Sequence, residues 1–403
     1  MIDIQGRKIP RAELSAAFER QFGAGGPLRI AVAPGRSNLI GEHTDYNGGL
    51  VLPIAVCEYT AVLFRPHSKP RIAIFSEVIE ASKRGIPRDE FSLTSVKPAT
   101  DAKHHWSNYV RGVAAALVRR GVKLKGGDLY ITGNLPRGAG LSSSAALEIS
   151  AGLALLALAG KSMDRQELAF AGQEAEHRFA GVRCGIMDQT VVARAKAGHA
   201  LLLDCRSMAV AHIPIALRGY SFALFDTGVR HQLAGSEYNK RRAECEHAAS
   251  LMKVKTLRGA TLDLLLKHAP KLSLNEHQRV RHVLTENLRV AQFAAGLARG
   301  SIGCIGELGR LLSLSHDSLA LDYEVSCAEL DDVVARLAQL NAKDGACPGA
   351  RMTGGGFGGA VVALLKTAAF PKYARELRGA AKGGSRLLHS SGGAAVIPGT
   401  PIS

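Results

Sequence analysis

The sequence has few aromatic residues, no long apolar run and no block of basic residues, and each of these shortages excludes a class of protein. Aromatic residues make up 5% of the 403 residues, and only one residue is a tryptophan. No stretch approaches the roughly 18 uninterrupted apolar residues that indicate a membrane-spanning helix. The first residues lack the apolar segment of a signal peptide. We therefore expect a cytoplasmic protein with no membrane partner.

Basic residues are in excess but scattered along the chain. The formal net charge of +16 would by itself favour a nucleic-acid partner, because such partners are bound by neutralising their phosphates. The densest basic cluster, Lys240-Arg241-Arg242, is followed at once by Glu244 and Glu246, and no run of five basic residues occurs. Aromatic residues that could stack on bases are scarce as well. We predict no nucleic-acid partner.

Cysteine pairs and a P-loop lysine are also missing. Seven cysteines, an odd number, lie far apart and include no Cys-x-x-Cys pair. No histidine stands near them at zinc-ligand spacing, so buried reduced thiols are the best interpretation. No glycine run is followed by the lysine of a Walker A motif.

The most distinctive stretch is residues 138–148, where two glycines precede three serines and a long apolar segment. Residues 129–132 before it are predicted to form a strand, and residues 145–158 a helix buried on most sides. The first turn of a helix presents unpaired N–H groups and a positive dipole end, so a glycine-lined loop there can bind a polyphosphate. A serine-capped core helix is the alternative.

A second polar segment, residues 36–49, follows a predicted strand at 28–32. It carries a guanidinium, two carboxylates, an imidazole and two amides within fourteen positions. This density is typical of a site for a polyhydroxylated ligand, since carboxylates such as Glu42 and Asp45 accept hydrogen bonds from neighbouring sugar hydroxyls. Alternatively, both acids lie in a solvated surface loop.

Asp188 lies between apolar residues and an amide in the segment 181–189. It either caps a helix or bonds within the core, or it acts on a substrate. Its neighbours Ile186 and Met187 indicate partial burial, so we expect a cation nearby, and Arg36 is the candidate.

Glycines 354, 356 and 359 match the spacing of the dinucleotide-binding fingerprint. Their context does not fit it, because they precede a predicted strand at 360–365 instead of opening a helix. We expect a loop whose backbone closely approaches another loop or a ligand.

Hydrophobic periodicity predicts the remaining elements. Helices are expected at 11–22, after Trp106, at 165–179, around 236–239, and in several pieces between 275 and 340, with breaks at Gly300 and near Asp317-Ser318; strands are expected at 60–64, 72–75, 200–203 and 222–225. Because 403 residues exceed what one core usually serves, we expect two domains, residues 1–210 and 211–403.

Three segments together, residues 34–53, 136–146 and 352–359, resemble the three motifs of the GHMP small-molecule kinases. The segments 38–47, 184–189 and 235–238 are most similar to family members that phosphorylate galactose. The resemblance spans nearly the whole chain in the right order. It implies an α+β fold of two domains with the active site in the cleft between them. It also implies ATP-dependent phosphorylation of the anomeric hydroxyl of galactose to galactose 1-phosphate, with Mg²⁺ as cofactor.

The resemblance also implies roles for individual residues. Asp188 would accept the proton of the sugar hydroxyl, while Arg36 would steady that carboxylate and the charge that develops in phosphoryl transfer. Ser144 and Glu176 would hold Mg²⁺. The sugar would be held by Glu42, His43, Asp45, Gly185 and Tyr238; the ATP phosphates by Gly138, Ala139, Gly140, Leu141, Ser142, Ser143 and Ser144; and the adenine would lie near Trp106 and Ser76.

Two alternatives share these features. A kinase for N-acetylgalactosamine, galacturonate or arabinose would carry the same three motifs, although Thr44 and Asn47-Gly48 favour galactose. A non-catalytic sensor that binds galactose and ATP would be expected to have a disrupted phosphate loop, whereas residues 138–146 are intact. The strongly basic charge and the small residues Gly48-Gly49 depart from the family pattern. We expect a monomer whose partners are galactose and ATP.

Overall fold

The computed structural model describes residues 2–4, 7–9, 11–83, 85–136, 140–230 and 234–402, with side chains described within 12–83, 85–136, 140–229 and 237–397. The strands are β1 (Ile2–Ile4), β2 (Arg7–Ile9), β3 (Leu28–Asn38), β4 (Leu50–Val51), β5 (Pro53–Pro66), β6 (Arg71–Ser76), β7 (Arg88–Ser92), β8 (Gly127–Gly133), β9 (His199–Asp204), β10 (Val210–Pro214), β11 (Tyr220–Arg230), β12 (Gly349–Thr353), β13 (Gly358–Lys366), β14 (Gly384–Leu387) and β15 (Ala395–Ile402).

The helices are α1 (Arg11–Phe22), α2 (Glu77–Ser82), α3 (Asn108–Arg119), α4 (Ser143–Ala159), α5 (Arg165–Ala175), α6 (Met187–Arg194), α7 (Ala234–Leu251), α8 (Leu262–His268), α9 (Leu274–Arg299), α10 (Ile305–Leu321), α11 (Ala328–Asp344) and α12 (Phe370–Glu376). A π-helical turn, Glu176–Ala180, extends α5, and short 3-10 turns include Asp45–Asn47 and Ala102–Ser107. The mixture of helix and sheet confirms the predicted α+β class.

Within the described residues the strands form four sheets. The largest has the order β15-β3-β5-β8-β6-β7 and is antiparallel except where β6 runs parallel to β8. A four-stranded antiparallel sheet, β12-β13-β11-β14, belongs to the second half of the chain. β15 pairs with β3, with Ala395 opposite Val32, so the C-terminal segment completes the sheet of the first half. The division at residue 210 stays a prediction.

Helix α4 lies inside the first half, as its composition predicted. Thirteen of its seventeen residues are buried, and it packs on β3 and β5 and against helices α3, α5 and α6. Gly160, in the left-handed region at φ 66°, ends the helix. Its apolar surface on every side is therefore matched by neighbours, and its first turn is held in a fixed place.

The helical prediction for the second half was displaced at one point. The break expected near Asp317-Ser318 lies a few residues later, because α10 continues to Leu321 and α11 begins at Ala328. Ser318 is buried, and its hydroxyl lies 3.0 Å from the Asp322 carboxylate and 2.9 Å from His282 Nδ1. Ser318 thus makes buried contacts inside a continuous helix, while Asp317 is exposed on its surface. The break at Gly300 is present, where this glycine ends α9 at φ 59°.

Two further expectations concern thiols and membranes. Within the described residues, Cys245 and Cys347 are the buried cysteines, and the other five free thiols are half-buried. None of the helices in the described ranges is both long enough and apolar enough to cross a membrane.

Candidate active site

Arg36, near the end of β3, forms a two-point ion pair with Asp188, in the first turn of α6. Its Nε donates to Oδ1 over 2.6 Å and its Nη2 to Oδ2 over 2.5 Å, while Nη1 donates to the Gly140 carbonyl over 2.5 Å. The Arg36 side chain is 7% exposed and the Asp188 side chain 24%. The cation expected beside Asp188 is therefore present, and the carboxylate keeps an accessible side.

The described end of the loop expected to bind phosphate, residues 140–142, contacts this ion pair. Ser142 donates from its hydroxyl to Asp188 Oδ2 over 2.7 Å, and the Arg36 N–H donates to the Leu141 carbonyl over 3.0 Å. Burial lowers the pKa of Arg36, but the negative charge of Asp188 and its hydrogen bonds outweigh this and raise it overall. The guanidinium therefore stays charged and fixes the Asp188 carboxylate in one orientation.

A polar cavity of about 160 Å³ opens at the exposed side of Asp188. It gathers residues from the polar segment 36–49, from the turn after α5, from the segment around Asp188, from α7 and from the loop after β12. Its lining residues are Arg36, Glu42, His43, Asp45, Glu176, Val182, Cys184, Gly185, Met187, Asp188, Tyr238, Gly354 and Gly355. The residues expected at the sugar and the two residues expected to be catalytic thus share one cavity.

Glu42 is buried and held by the second half of the chain. Its Oε1 accepts hydrogen bonds from the Gly354 N–H at 2.7 Å and from the Thr353 hydroxyl at 3.1 Å. The fully buried Arg351 guanidinium lies 3.2 Å from the same atom. Within the described residues, these contacts all go to Oε1, which leaves Oε2 for a hydroxyl in the cavity.

Asp45 lies directly against the backbone of Gly185. A Cβ placed on Gly185 would come within 1.7 Å of Asp45 Oδ2, so only glycine allows this contact. Burial, followed by the negative charge of Asp188, raises the pKa of Asp45 to about 6. The carboxylate is therefore placed at some electrostatic cost, which a hydrogen-bonding ligand would offset.

Aromatic side chains form the opposite wall of this cavity. His43, at φ 59°, is hydrogen-bonded through Nδ1 to the Tyr46 hydroxyl at 2.9 Å, and its ring lies 5.3 Å from that of Tyr238. Burial, followed by the charge of His282, lowers the pKa of His43 to about 3. The Nε2 atom of this neutral imidazole is itself buried, beside the backbone of Gly355.

Glu176 and Ser144 meet beside Asp188. Glu176 is 7% exposed, and burial followed by the charge of Asp188 raises its pKa to about 7, against an opposing hydrogen bond from the Ser144 hydroxyl. No three Asp, Glu, His or Cys side chains in the described ranges are grouped to hold a metal ion. A Mg²⁺ site needs fewer, because this ion usually keeps several waters and binds one or two carboxylates together with substrate phosphates. These two oxygen donors therefore fit Mg²⁺.

A second cavity, of about 110 Å³, is lined in part by Ser143 and Ser144 in the first turn of α4. Its described lining has no charged side chain. The lining residues are Tyr59, Thr60, Ser76, Val78, Ile79, Trp106, Tyr109, Ile131, Gly133, Leu135, Ser143, Ser144 and Leu147. Trp106 donates from its indole N–H to the Ile86 carbonyl over 2.9 Å, and the Ser76 hydroxyl caps α2 by accepting from the Ile79 N–H over 3.4 Å.

The glycine-rich segment 354–359 makes the close backbone contacts that its composition predicted. A Cβ on Gly356 would lie 2.3 Å from the Val325 carbonyl oxygen, and one on Gly354 would lie 3.5 Å from the Gly140 Cα. Gly140 itself has φ 71°. This segment therefore packs against the phosphate loop and forms part of the polar cavity.

The structure thus brings most of the predicted site residues together, with two exceptions. Gly138 and Ala139 lie outside the described residues. Sequence reasoning missed Glu148, Gln189 and Arg351. The signal for Glu148 was an acid within the apolar sequence of α4, and that for Arg351 was a charged residue entering an otherwise apolar strand.

Family models match three parts of the chain. The N-terminal domain of GHMP kinases matches residues 108–196, the galactokinase galactose-binding signature matches residues 16–66, and the C-terminal domain of GHMP kinases matches residues 293–378.

Among characterised sequences, the chain is 45% identical over 356 residues to a galactokinase of Chloroflexus aggregans and 44% identical over 357 residues to one of Chloroflexus aurantiacus. Each alignment covers 87% of both proteins.

Solved structures agree with these matches. The Lactococcus lactis galactokinase complexed with galactose superposes with a TM-score of 0.88 at 30% identity, covering 96% of this chain and 99% of that one. Methanococcus jannaschii mevalonate kinase superposes with a TM-score of 0.60 at 16% identity, over 93% of this chain and 100% of that one, and this likeness shows the fold alone.

Proposed function

The chain belongs to the galactokinase family of the GHMP kinases, and we propose how its residues divide the transfer of a phosphoryl group from ATP to galactose. The reaction phosphorylates the anomeric hydroxyl and yields galactose 1-phosphate, the first step of galactose use by the Leloir pathway. The observation that supports our assignment of roles is the ion pair of Arg36 and Asp188 at the edge of the polar cavity. Matches to galactokinases give no support to the related sugar kinases or to a non-catalytic sensor.

Asp188 is the proposed base. Its carboxylate accepts two hydrogen bonds from Arg36 and one from Ser142, which fix it while one side faces the cavity. As the anomeric oxygen attacks the terminal phosphorus of ATP, the bond from that phosphorus to the bridging oxygen breaks, ADP leaves, and the hydroxyl proton passes to Asp188. Because phosphoryl transfer depends mainly on positioning and on neutralising charge, a carboxylate held this firmly is suited to the role. Arg36 balances the charge of the carboxylate and of the phosphoryl oxygens.

The sugar lies in the polar cavity in this proposal. Glu42 and Asp45 accept hydrogen bonds from its hydroxyls, and the rings of His43 and Tyr238 supply an aromatic wall. Gly185 contributes backbone and leaves room for Asp45. Bonds to ionised acceptors are strong and directional, so they distinguish sugars that differ in the orientation of one hydroxyl.

ATP occupies the second cavity and the loop between the two cavities. The apolar lining with Trp106 and Ser76 receives the adenine, and the first turn of α4 with Gly138, Ala139, Gly140, Leu141, Ser142, Ser143 and Ser144 receives the phosphates. Backbone N–H groups at a helix N-terminus favour bound phosphate. Ser144 and Glu176 would hold Mg²⁺, which when bound neutralises charge on the phosphate oxygens.

An assay of ADP release over a panel of galactose, N-acetylgalactosamine, galacturonate and arabinose tests this function. We expect the highest kcat/KM for galactose and a product identified as galactose 1-phosphate by phosphorus NMR. A higher kcat/KM for another sugar would reassign the substrate. Binding of galactose and ATP without ADP release would favour the sensor. A cytoplasmic monomer remains our expectation, and sedimentation velocity would test its monomeric state.

A further inference from the structure

Behind the polar cavity, one amide group joins two buried carboxylates. Gln189 donates from Nε2 to Glu148 Oε2 over 2.9 Å and to Glu176 Oε2 over 3.0 Å. Glu148 and Gln189 have no exposed surface, and Glu176 is 7% exposed. An amide nitrogen has two hydrogens, which these two short bonds engage, and Cys184 Sγ at 3.8 Å is a more distant third acceptor.

Burying this group of polar side chains costs folding free energy, which is understandable if the group serves the site. Neither Glu148 nor Glu176 forms a salt bridge within the described part of the chain, and Glu148 Oε1 and Gln189 Oε1 are buried without a hydrogen-bond partner there. Buried polar atoms without partners cost free energy, and an apolar pair of similar shape would avoid the cost. The packing is also close, because a Cβ on Gly172 would lie 3.1 Å from Gln189 Cγ and 3.2 Å from Glu148 Oε2.

Gln189 directly follows Asp188 in the first turn of α6. One short piece of backbone therefore carries both the carboxylate that faces the sugar cavity and the amide that holds Glu176. Glu148 in α4 takes the second hydrogen of that amide, and a rotated amide would place its oxygen against both carboxylates. The orientation of Glu176 is thus tied to the position of Asp188.

We propose that Gln189 and Glu148 are positioning residues that fix the Glu176 carboxylate for the divalent ion accompanying ATP, at a set distance from Asp188. The inference rests on the proposed function, in which Glu176 binds that ion. Groups that orient metal ligands typically contribute 10–100-fold to metal affinity. The predicted effect is therefore on ion binding and not on sugar binding.

Mn²⁺ binding to the full-length protein with a non-hydrolysable ATP analogue, measured by electron paramagnetic resonance, tests the proposal. Gln189→Met keeps the length of the side chain without a donor, and we expect it to weaken Mn²⁺ binding about 10–100-fold. Galactose affinity, measured by calorimetry without nucleotide, should stay unchanged. Equal losses of Mn²⁺ and galactose affinity would indicate a merely structural role and overturn the proposal.

Glu148 supplies a rescue pair. Glu148→Gln keeps an acceptor oxygen for the Gln189 amide, so Mn²⁺ affinity should remain near that of the unaltered protein. Glu148→Leu removes the acceptor and should reproduce the loss in Gln189→Met. If Gln189→Met does not fold, this pair decides, and equal Mn²⁺ affinity in the two Glu148 variants would contradict the proposal.

Two further variants separate the possible failures. Glu176→Gln should weaken Mn²⁺ binding, and if it does not, the metal assignment in the proposed function fails. If Glu176→Gln weakens binding but Gln189→Met does not, only the present inference fails. Ser150→Ala is the matched control, because within the described residues the hydroxyl of this buried residue of α4 bonds only carbonyls of its own helix, at 2.7 and 3.2 Å. It should lower stability and leave Mn²⁺ affinity unchanged.

Discussion

The two cavities beside the first turn of α4 differ in charge and in the parts of the chain that form them. The cavity assigned to the sugar contains an arginine and four carboxylates and takes residues from both halves of the chain. The cavity assigned to the adenine has no charged side chain in its described lining, and every lining residue precedes position 148. A polyhydroxylated ring needs directional acceptors, whereas a flat base is bound chiefly by apolar contact.

Forming the charged cavity costs more free energy than forming the apolar cavity. Buried carboxylates need partners, and the backbone and arginine that hold Glu42 come from β12 and the loop after it. Where partners are fewer, pKa values move, and burial raises those of Asp45 to about 6 and Glu176 to about 7. Changes to charged groups should therefore have larger and more selective effects than changes in the apolar cavity.

The largest effect is expected from Asp188→Asn, which keeps the volume of the side chain but removes its charge and basicity. Base catalysis contributes about 10²–10⁴-fold, so kcat should fall by that factor with little change in KM. Single-turnover quench-flow measures the chemical step directly. A rate equal to that of the unaltered protein would mean that Arg36 and the metal ion activate the hydroxyl without a base.

Two companion variants refine this test. Arg36→Lys should show a smaller loss, because lysine keeps the charge but lacks the planar group that makes two parallel bonds to Asp188. Asp188→Asn alone leaves the charge of Arg36 unpaired, and Arg36→Met alone leaves the charge of Asp188 unpaired. Asp188→Asn combined with Arg36→Met should therefore be less damaging than the product of the two separate effects.

The next-largest effect should distinguish the two cavities, because only one ligand should lose affinity. Asp45→Ala should weaken galactose binding by about 1.5–3 kcal/mol, the usual contribution of a hydrogen bond to a charged group, with ATP affinity little altered. Calorimetry with each ligand alone measures both values. Equal galactose affinity in the two proteins would remove Asp45 from the sugar site.

Gly185→Ala tests the contact between Gly185 and Asp45 by changing the glycine. The added Cβ would lie 1.7 Å from Asp45 Oδ2 and must displace the carboxylate, so galactose affinity should fall while ATP affinity holds. Gly379→Ala is the control, because its Cβ would meet nothing within 4 Å and should change neither affinity. Similar galactose affinities in both alanine variants would show that the Asp45 position is unimportant.

A smaller effect is expected from pH. Because the pKa of Asp45 is about 6, the ionised fraction, and with it galactose affinity, should fall about fourfold from pH 7.5 to 5.5. The effect of pH on folding stability through Asp45 has the opposite sign, because stability increases as pH falls. A folded-state pKa above the ordinary value of 3.8 means that the folded protein binds this proton more tightly, so Asp45 favours unfolding above pH 6 and this penalty disappears as pH falls towards 4.

Calorimetry without nucleotide or Mg²⁺ isolates the Asp45 effect, since Glu176 also titrates near pH 7. Asp45→Asn should abolish most of the pH dependence of galactose affinity. A flat profile in the unaltered protein would contradict the prediction.

The smallest effect is expected in the apolar cavity. Trp106→Phe keeps an aromatic wall but loses the hydrogen bond to the Ile86 carbonyl, which should lower the free energy of unfolding by about 1 kcal/mol. If the same energy were lost in nucleotide binding, KM for ATP would rise no more than about fivefold. Galactose affinity should not change. A matching loss of galactose affinity would show that the two cavities are not independent.

Local sequence patterns predicted those helices and strands whose formation depends on one buried face or on one turn. The helix Arg11–Phe22, the buried helix α4 and the strands flanking the glycine-rich segments all lie where periodicity and turn residues indicated. The break predicted at Asp317-Ser318 was misplaced, because Ser318 makes buried contacts with His282 and Asp322 within α10. Such contacts are invisible locally because their partners lie elsewhere in the chain.

The sequence by itself determined the residue types that the site needs: an acid between apolar neighbours, a dense polar segment, and glycines and serines before a buried helix. Tertiary structure alone decided which of these meet. Arg36 and Asp188 lie 152 residues apart, and Glu42 and Gly354 lie 312 apart. The pairing of Glu148 with Glu176 through Gln189 was likewise undetectable in sequence, because burial and hydrogen-bond geometry depend on how sheets and helices pack and not on the order of residues.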